Sequence, residues 1–104
     1  MLTFWSSDDA TSRLANQHYD RLSRADGVHY THVSVNMDRS QSVFDAIVTI
    51  DNLNHSSQYS TSHGAQEKII KSWRLDEGYH SFLLDVNGKI VAVDPDVQML
   101  AQLK

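Results

Sequence analysis

The sequence predicts an α/β fold in which a mixed central β-sheet is flanked by helices on both faces. Three observations carry this. Short runs suited to strands alternate with segments whose apolar residues recur at helical spacing. A strand-helix-strand unit at the front implies a parallel pair with a right-handed crossover. Near the end, Asn87-Gly88 joins two β-rich runs into a hairpin, because both residues tolerate the positive φ of a type I′ turn. At 104 residues the chain fits one domain, residues 1–104 sharing a single modest core.

The elements follow in order. Residues 2–6 form the first strand. Ser6-Ser7-Asp8-Asp9 offers several N-cap side chains for a helix over 10–25. Leu14, His18, Leu22 and Ala25 recur at helical spacing there and are predicted to face the sheet. Asp26-Gly27 stops that helix, glycine suiting a left-handed cap. Residues 28–37 are rich in β-branched side chains and read as a strand. Asp38 or Ser40 caps a second helix with Val43, Phe44, Ile47 and Ile50 on its apolar side. Residues 51–64 are rich in Ser, Asn and His and read as a loop. Helical spacing returns over 65–73 through Ala65, Ile69, Ile70 and Trp73. The hairpin strands cover 81–86 and 89–93. Asp94 then caps a last helix, with Pro95 at its first position and Val97, Leu100 and Leu103 on its buried side. The predicted order is β-α-β-α-α-β-β-α.

Composition excludes several functions. Thirteen acidic residues stand against nine basic ones, a formal net charge of −4, and no Lys/Arg cluster marks a nucleic-acid surface. No apolar run approaches a transmembrane span, and the N-terminus lacks the basic, apolar and small-residue pattern of a leader. No spacing points to a bound cofactor. The absence of cysteine removes disulfides, thiolate metal sites and thiol nucleophiles together.

Two segments carry a family resemblance. Phe4-Trp5-Ser6-Ser7-Asp8-Asp9-Ala10-Thr11-Ser12-Arg13 resembles the Phe-Trp-Ala-Ser-Trp-Cys-Gly-Pro-Cys-Arg stretch of thioredoxin-like proteins, matching it at Phe4, Trp5, Ser7 and Arg13. Phe82-Leu83-Leu84-Asp85-Val86-Asn87-Gly88-Lys89-Ile90-Val91 resembles the family's later Phe-Leu-Ile-Asp strand and Gly-Lys-Ile-Val hairpin. The resemblance runs along essentially the whole chain and is nearest to the TlpA-like thiol–disulfide oxidoreductase branch, whose domains carry an insertion near residues 51–64. It implies a thioredoxin-like fold. It also implies an exported or periplasmic bacterial origin, membrane-anchored in the full-length protein.

The same alignment places the two redox cysteines at Asp9 and Ser12 and the cis-proline at Tyr79. An aspartate forms no covalent sulfur intermediate, and a serine resolves none. A non-proline cis bond costs about 2.5–4 kcal/mol, so a trans Gly78–Tyr79 bond is expected. The implied function is a redox-inactive domain that binds a protein or peptide, or serves a structural role, with Asp8, Asp9, Tyr79 and His80 as the binding surface. Trp5, Trp73 and Phe82 fall at core positions.

The enzymatic alternative is non-thiol chemistry or a metal site near Asp9, Ser12 and His80, which are the residue types of a hydrolytic triad. His29 and His32 lie three apart in a predicted strand and point to opposite faces, so they do not readily share an ion. His55 and His63 lie in the polar loop without carboxylate or thiolate ligands at tight spacing. His18 reads as a half-buried packing residue.

Overall fold

The first apolar run becomes the centre of the sheet. The computed structural model describes residues 1–25, 30–62 and 64–101. In chain order the elements are β1 (Leu2–Trp5), α1 (Ala10–Ser23), β2 (Val33–Asn36), α2 (Gln41–Ile50), a 3-10 turn (His55–Ser57), β3 (Gln58–Ser60), α3 (Gln66–Trp73), β4 (Ser81–Leu84), β5 (Ile90–Val93) and α4 (Val97–Ala101). The five strands order as β3-β2-β1-β4-β5. β1 runs parallel to β2, with Leu2 opposite Val33 and Trp5 opposite Asn36. β2 runs parallel to β3, while β4 is antiparallel to both β1 and β5. The mixed sheet and the parallel βαβ front are as the sequence predicts.

Successive side chains of a strand point to opposite faces, and β1 uses both. Phe4 packs with Met37, Leu75 and Phe82, and α3 covers them with Ile69, Ile70 and Trp73. The Trp73 ring lies 5.3 Å from Phe4 and 5.1 Å from Phe82. Such pairs contribute about 0.5–1.5 kcal/mol beyond area burial. On the opposite face Trp5 packs with Phe44 and Val48 of α2 and with Leu53. A third cluster joins Met1, Tyr19, Leu83 and Leu100.

Several predicted boundaries and faces differ. α1 turns a polar face inward: Ser12, Asn16, Tyr19 and Asp20 are buried, Leu14 is 63% exposed, and His18 and Ala25 are exposed. The reason lies across the helix, where the sheet presents polar side chains to it. Thr3, His32, Ser34 and Ser81 are all buried there. Thr3 Oγ1 meets His32 Nε2 at 2.9 Å and accepts from Ser81 Oγ at 3.0 Å. Asn16 Nδ2 donates to Gln58 Oε1 at 3.3 Å. Asp20, fully buried, accepts from Arg24 at 2.8 Å and from the Asn54 backbone N–H at 3.2 Å. These pairs let polar side chains of helix and sheet meet without an apolar stripe, although Asn16 Oδ1, His32 Nδ1 and Ser34 Oγ are buried there without a hydrogen-bond partner among the described residues.

Strand β2 covers only the last residues of the predicted 28–37 run, and Asp26 to His29 lie outside the described residues. The predicted 51–64 loop contains β3, which pairs along β2 from Ser34↔Gln58 to Asn36↔Ser60. In α2, capped by Ser40, Phe44 and Val48 are buried, whereas Val43 and Ile50 are exposed. The hairpin turn is longer than a two-residue type I′ turn. Gly88 has φ 81, but Asn87 does not have a positive φ. Gly88 N–H closes on Asp85 O at 3.0 Å, and the Asp85 carboxylate accepts from the Asn87 and Lys89 N–H groups, holding a four-residue turn. Asp96, not Asp94, caps α4, accepting from Met99 N–H at 2.8 Å. Leu100 is buried as predicted, while the burial of Val97 and Leu103 lies outside the described residues. No helix among the described residues is long and apolar enough to cross a membrane.

The seam gives the fold a pH dependence. Burial lowers the His32 imidazole from 6.5 to about 4, opposed by the nearby Asp20 charge. Its Nδ1 stands 3.8 Å from Asp20 Oδ1, beyond a normal hydrogen bond. The unfolded chain therefore takes up this proton first as pH falls. We expect the contribution of neutral His32 to be complete above pH 6.5 and lost progressively toward pH 4. The loss amounts to roughly 3 kcal/mol. Urea midpoints measured across that window should fall more steeply in the wild type than in a His32→Leu variant. Equally steep curves would remove His32 as the cause.

Candidate functional site

The site is built by the parallel pairing of β1 and β2. Because Trp5 lies opposite Asn36, the residues that follow each strand emerge side by side. Met37 N–H donates to Trp5 O at 2.7 Å and extends the pairing by one step. Asp38 then reaches the turn between β1 and α1. Its carboxylate accepts from Ser7 N–H at 3.1 Å, Ser7 Oγ at 2.8 Å, Ser6 Oγ at 3.0 Å and Asn36 Nδ2 at 2.7 Å. Asp38 N–H in turn donates to Asn36 Oδ1 at 2.9 Å. Ser6 Oγ also contacts Asp8 Oδ1, so one hydroxyl stands between two carboxylates.

The positions that align with the redox cysteines start a helix. Asp9 is the N-cap of α1, with extended backbone at φ −106 and its carboxylate accepting from Ser12 N–H at 3.3 Å. An anion here also complements the helix dipole. Ser12 is buried; its hydroxyl donates to Asp9 O at 3.0 Å and accepts from Ser6 N–H at 3.2 Å. Arg13 forks onto Asp51 at 2.7 and 2.9 Å and ties α1 to the C-terminal end of α2. That hydrogen-bonded pairing holds the Asp51 carboxyl below its ordinary value.

Tyr79 and His80 lead into β4. Among the described residues no peptide bond is cis, so the Gly78–Tyr79 bond is trans as expected. The His80 carbonyl accepts from Phe4 N–H at 3.1 Å, which attaches the loop to β1. The His80 ring pairs with Asp94: Nδ1 meets Asp94 Oδ2 at 2.7 Å, and Asp94 Oδ1 accepts from Ser81 N–H at 2.8 Å. Asp94, predicted as a helix cap, is the anchor of this loop instead. Tyr79 lines two cavities. One, of about 380 Å³, includes Asp8, Asp38 and Arg39. The other, of about 340 Å³, includes Ser12, His80 and Asp94. Of the four residues expected to form one surface, Tyr79 lines both cavities, Asp8 only the first, His80 only the second, and Asp9 neither. Burial, and then the charges of Asp8, Asp9 and Asp38, push the Tyr79 phenol above its ordinary value.

This geometry does not assemble the hydrolytic alternative. The Ser12 hydroxyl is engaged by backbone on both sides, and His80 pairs with Asp94 rather than with Ser12 or Asp9. A general base must reach the nucleophile it activates. Among the described residues no three His, Asp or Glu side chains group as metal ligands. His29 and His63 lie outside the described residues. His32 is buried against Thr3, and His18 is exposed rather than half-buried.

The structure is similar to the crystal structure of a thioredoxin-like protein from Parabacteroides distasonis ATCC 8503, with a TM-score of 0.87 and 29% sequence identity. The match covers 97% of this chain and 75% of that one. The fold is thioredoxin-like. No protein-family model and no curated protein matches the sequence. A thioredoxin-like scaffold without a single cysteine forms no thiolate and no mixed disulfide, so dithiol–disulfide exchange by this chain is ruled out chemically.

Sequence reasoning weighed Asp38 and Asp94 only as helix caps. The signal that finds Asp38 is register. Once β1 and β2 are taken as parallel neighbours, the residues just past their C-terminal ends must meet, and ligands of open α/β sheets bind at such ends. The role of Asp38 is open to direct measurement. Asp38→Ala leaves the Ser7 and Asn36 donors without this acceptor, and we expect a loss of about 1–3 kcal/mol in urea unfolding. Asp9→Ala removes one cap and should cost about 0.5–2 kcal/mol in the same experiment.

Proposed function

We propose that this chain is a redox-inactive thioredoxin-like domain that binds a basic protein or peptide segment at the surface where its redox relatives keep their dithiol. One observation carries the reading. Asp8, Asp9 and Asp38 all act on the Tyr79 phenol, and none of the three forms an ion pair among the described residues. Asp38 is surrounded by neutral donors that fix its position and leave its charge in place. A cationic side chain entering the cavity of Asp8, Asp38, Arg39 and Tyr79 meets two carboxylates and an aromatic side chain against one guanidinium. Each exposed charge contact of this kind contributes about 0.2–1 kcal/mol, and a cation over the ring about 0.5–1 kcal/mol.

Descent from the TlpA-like branch, with an exported and anchored full-length protein, belongs to the same proposal. The segment from Phe82 to Val91 supports it, as does the similarity to a bacterial thioredoxin-like protein.

The test is binding. A fluorescein-labelled peptide carrying consecutive Lys and Arg residues should bind, with affinity falling as salt rises. In an Asp8→Asn/Tyr79→Ala variant, with its fold checked by circular dichroism, affinity should drop about tenfold, or about 1.4 kcal/mol. Equal affinity for the two proteins sinks the assignment of this surface. In a dithiothreitol-driven insulin reduction assay the pure protein should show no turnover.

A further inference from the structure

The acidic cavity at Tyr79 does not end there. A larger cavity of about 890 Å³ runs beside α3. The two share Arg39, Gln66 and Ile70 and form one groove from the β1–α1 turn across the start of α3. Charge changes sign along it. Asp8 and Asp38 line one end, Lys71 and Arg74 line the other against Glu67 and Asp76, and Arg39 lines both cavities where they meet. Neither Arg39 nor Arg74 forms an ion pair among the described residues. Lys71 lies 3.8 Å from Glu67, with both side chains largely exposed, a contact that water screens almost completely.

The floor of this basic stretch is held in place. Gln66 Nε2 donates to Met37 O at 3.0 Å and to Asp38 O at 2.8 Å, clamping the first turn of α3 onto the turn after β2. Arg74 closes the other end of α3 in a left-handed conformation, φ 55, with its N–H on Ile70 O. The charges at both ends of the groove are therefore mounted on backbone tied to the same Asp38 segment.

We propose that the basic stretch receives acidic side chains of the partner, which is then an extended dipolar peptide: a cationic residue at Asp8 and Asp38, continuing into acidic residues along α3. This rests on the binding function proposed above and names its ligand class. Charge complementarity selects it. A uniform polyanion meets Asp8 and Asp38 with like charge, and a uniform polycation meets Arg39, Lys71 and Arg74 with like charge. Only a segment whose charge reverses along its length is matched at both ends.

Three labelled synthetic peptides of equal length test this by fluorescence anisotropy at low salt: a Lys block followed by a Glu block, the same composition in alternation, and the Lys block followed by Gln. The block peptide, in one of its two chain directions, should bind about threefold to tenfold tighter than the other two, as expected for two or three rim charges. Lys71→Gln/Arg74→Asn should remove that gain and leave the Lys-Gln peptide unchanged, and Arg74→Asn alone should remove part of it. Equal binding of block and Lys-Gln peptides, or a gain that survives the Lys71/Arg74 variant, overturns the dipolar ligand and leaves the basic-segment reading standing. Absence of binding by every peptide overturns both.

Discussion

The Asp38 carboxylate is the interaction on which the site depends. It stands one step past the β1–β2 pairing and gathers donors from both turns that leave those strands. The result is a fixed negative charge that orders the β1–α1 turn, which in turn presents Asp8 and sets Asp9 at the head of α1. The same Asp38 backbone accepts from Gln66, so the start of α3 is positioned by the same segment. One residue thus sets the relative placement of both ends of the groove.

Asp9 and Ser12 hold structural positions at the head of α1. A thiolate at a helix N-terminus and a carboxylate at a helix N-terminus draw on the same field of uncapped N–H groups. Asp9 draws on that field as the cap of α1 and carries no thiol reactivity. Ser12 spends its hydroxyl on the Asp9 carbonyl and the Ser6 N–H and so stiffens the turn. Tyr79 follows a trans bond and lines both cavities beside the β1–α1 turn.

Beneath α1 the packing is unusual for a different reason. Helix and sheet meet there through Asn16, Asp20, His32, Gln58 and Thr3 rather than through an apolar stripe. Such a seam is stable only while its members remain mutually hydrogen-bonded and His32 stays neutral. It explains how a helix with exposed Leu14 still docks, because Tyr19, Ala15 and Leu22 supply apolar contact at one end and the polar pairs do the rest.

Much of this was legible in the chain itself. Helical spacing, β-branched runs and the Asp85 to Lys89 turn region located four helices and four of the five strands, since these signals are local. The absence of cysteine settled the thiol chemistry, because no fold restores a missing sulfur. The buried face of α1 was not legible. Ser12, Asn16 and Asp20 look like solvent-facing residues until His32, Gln58 and Ser81 are brought opposite them from distant parts of the sequence. Strand β3 was hidden because Gln58-Tyr59-Ser60 has no apolar alternation and owes its conformation to the open edge of β2. Asp38 and Arg39 carry no motif, and their importance follows from which strands are neighbours. The sequence by itself determined the elements and the chemistry that is lost, because both reside in the residues. Only the tertiary structure decided which charges stand together, because that depends on strand register.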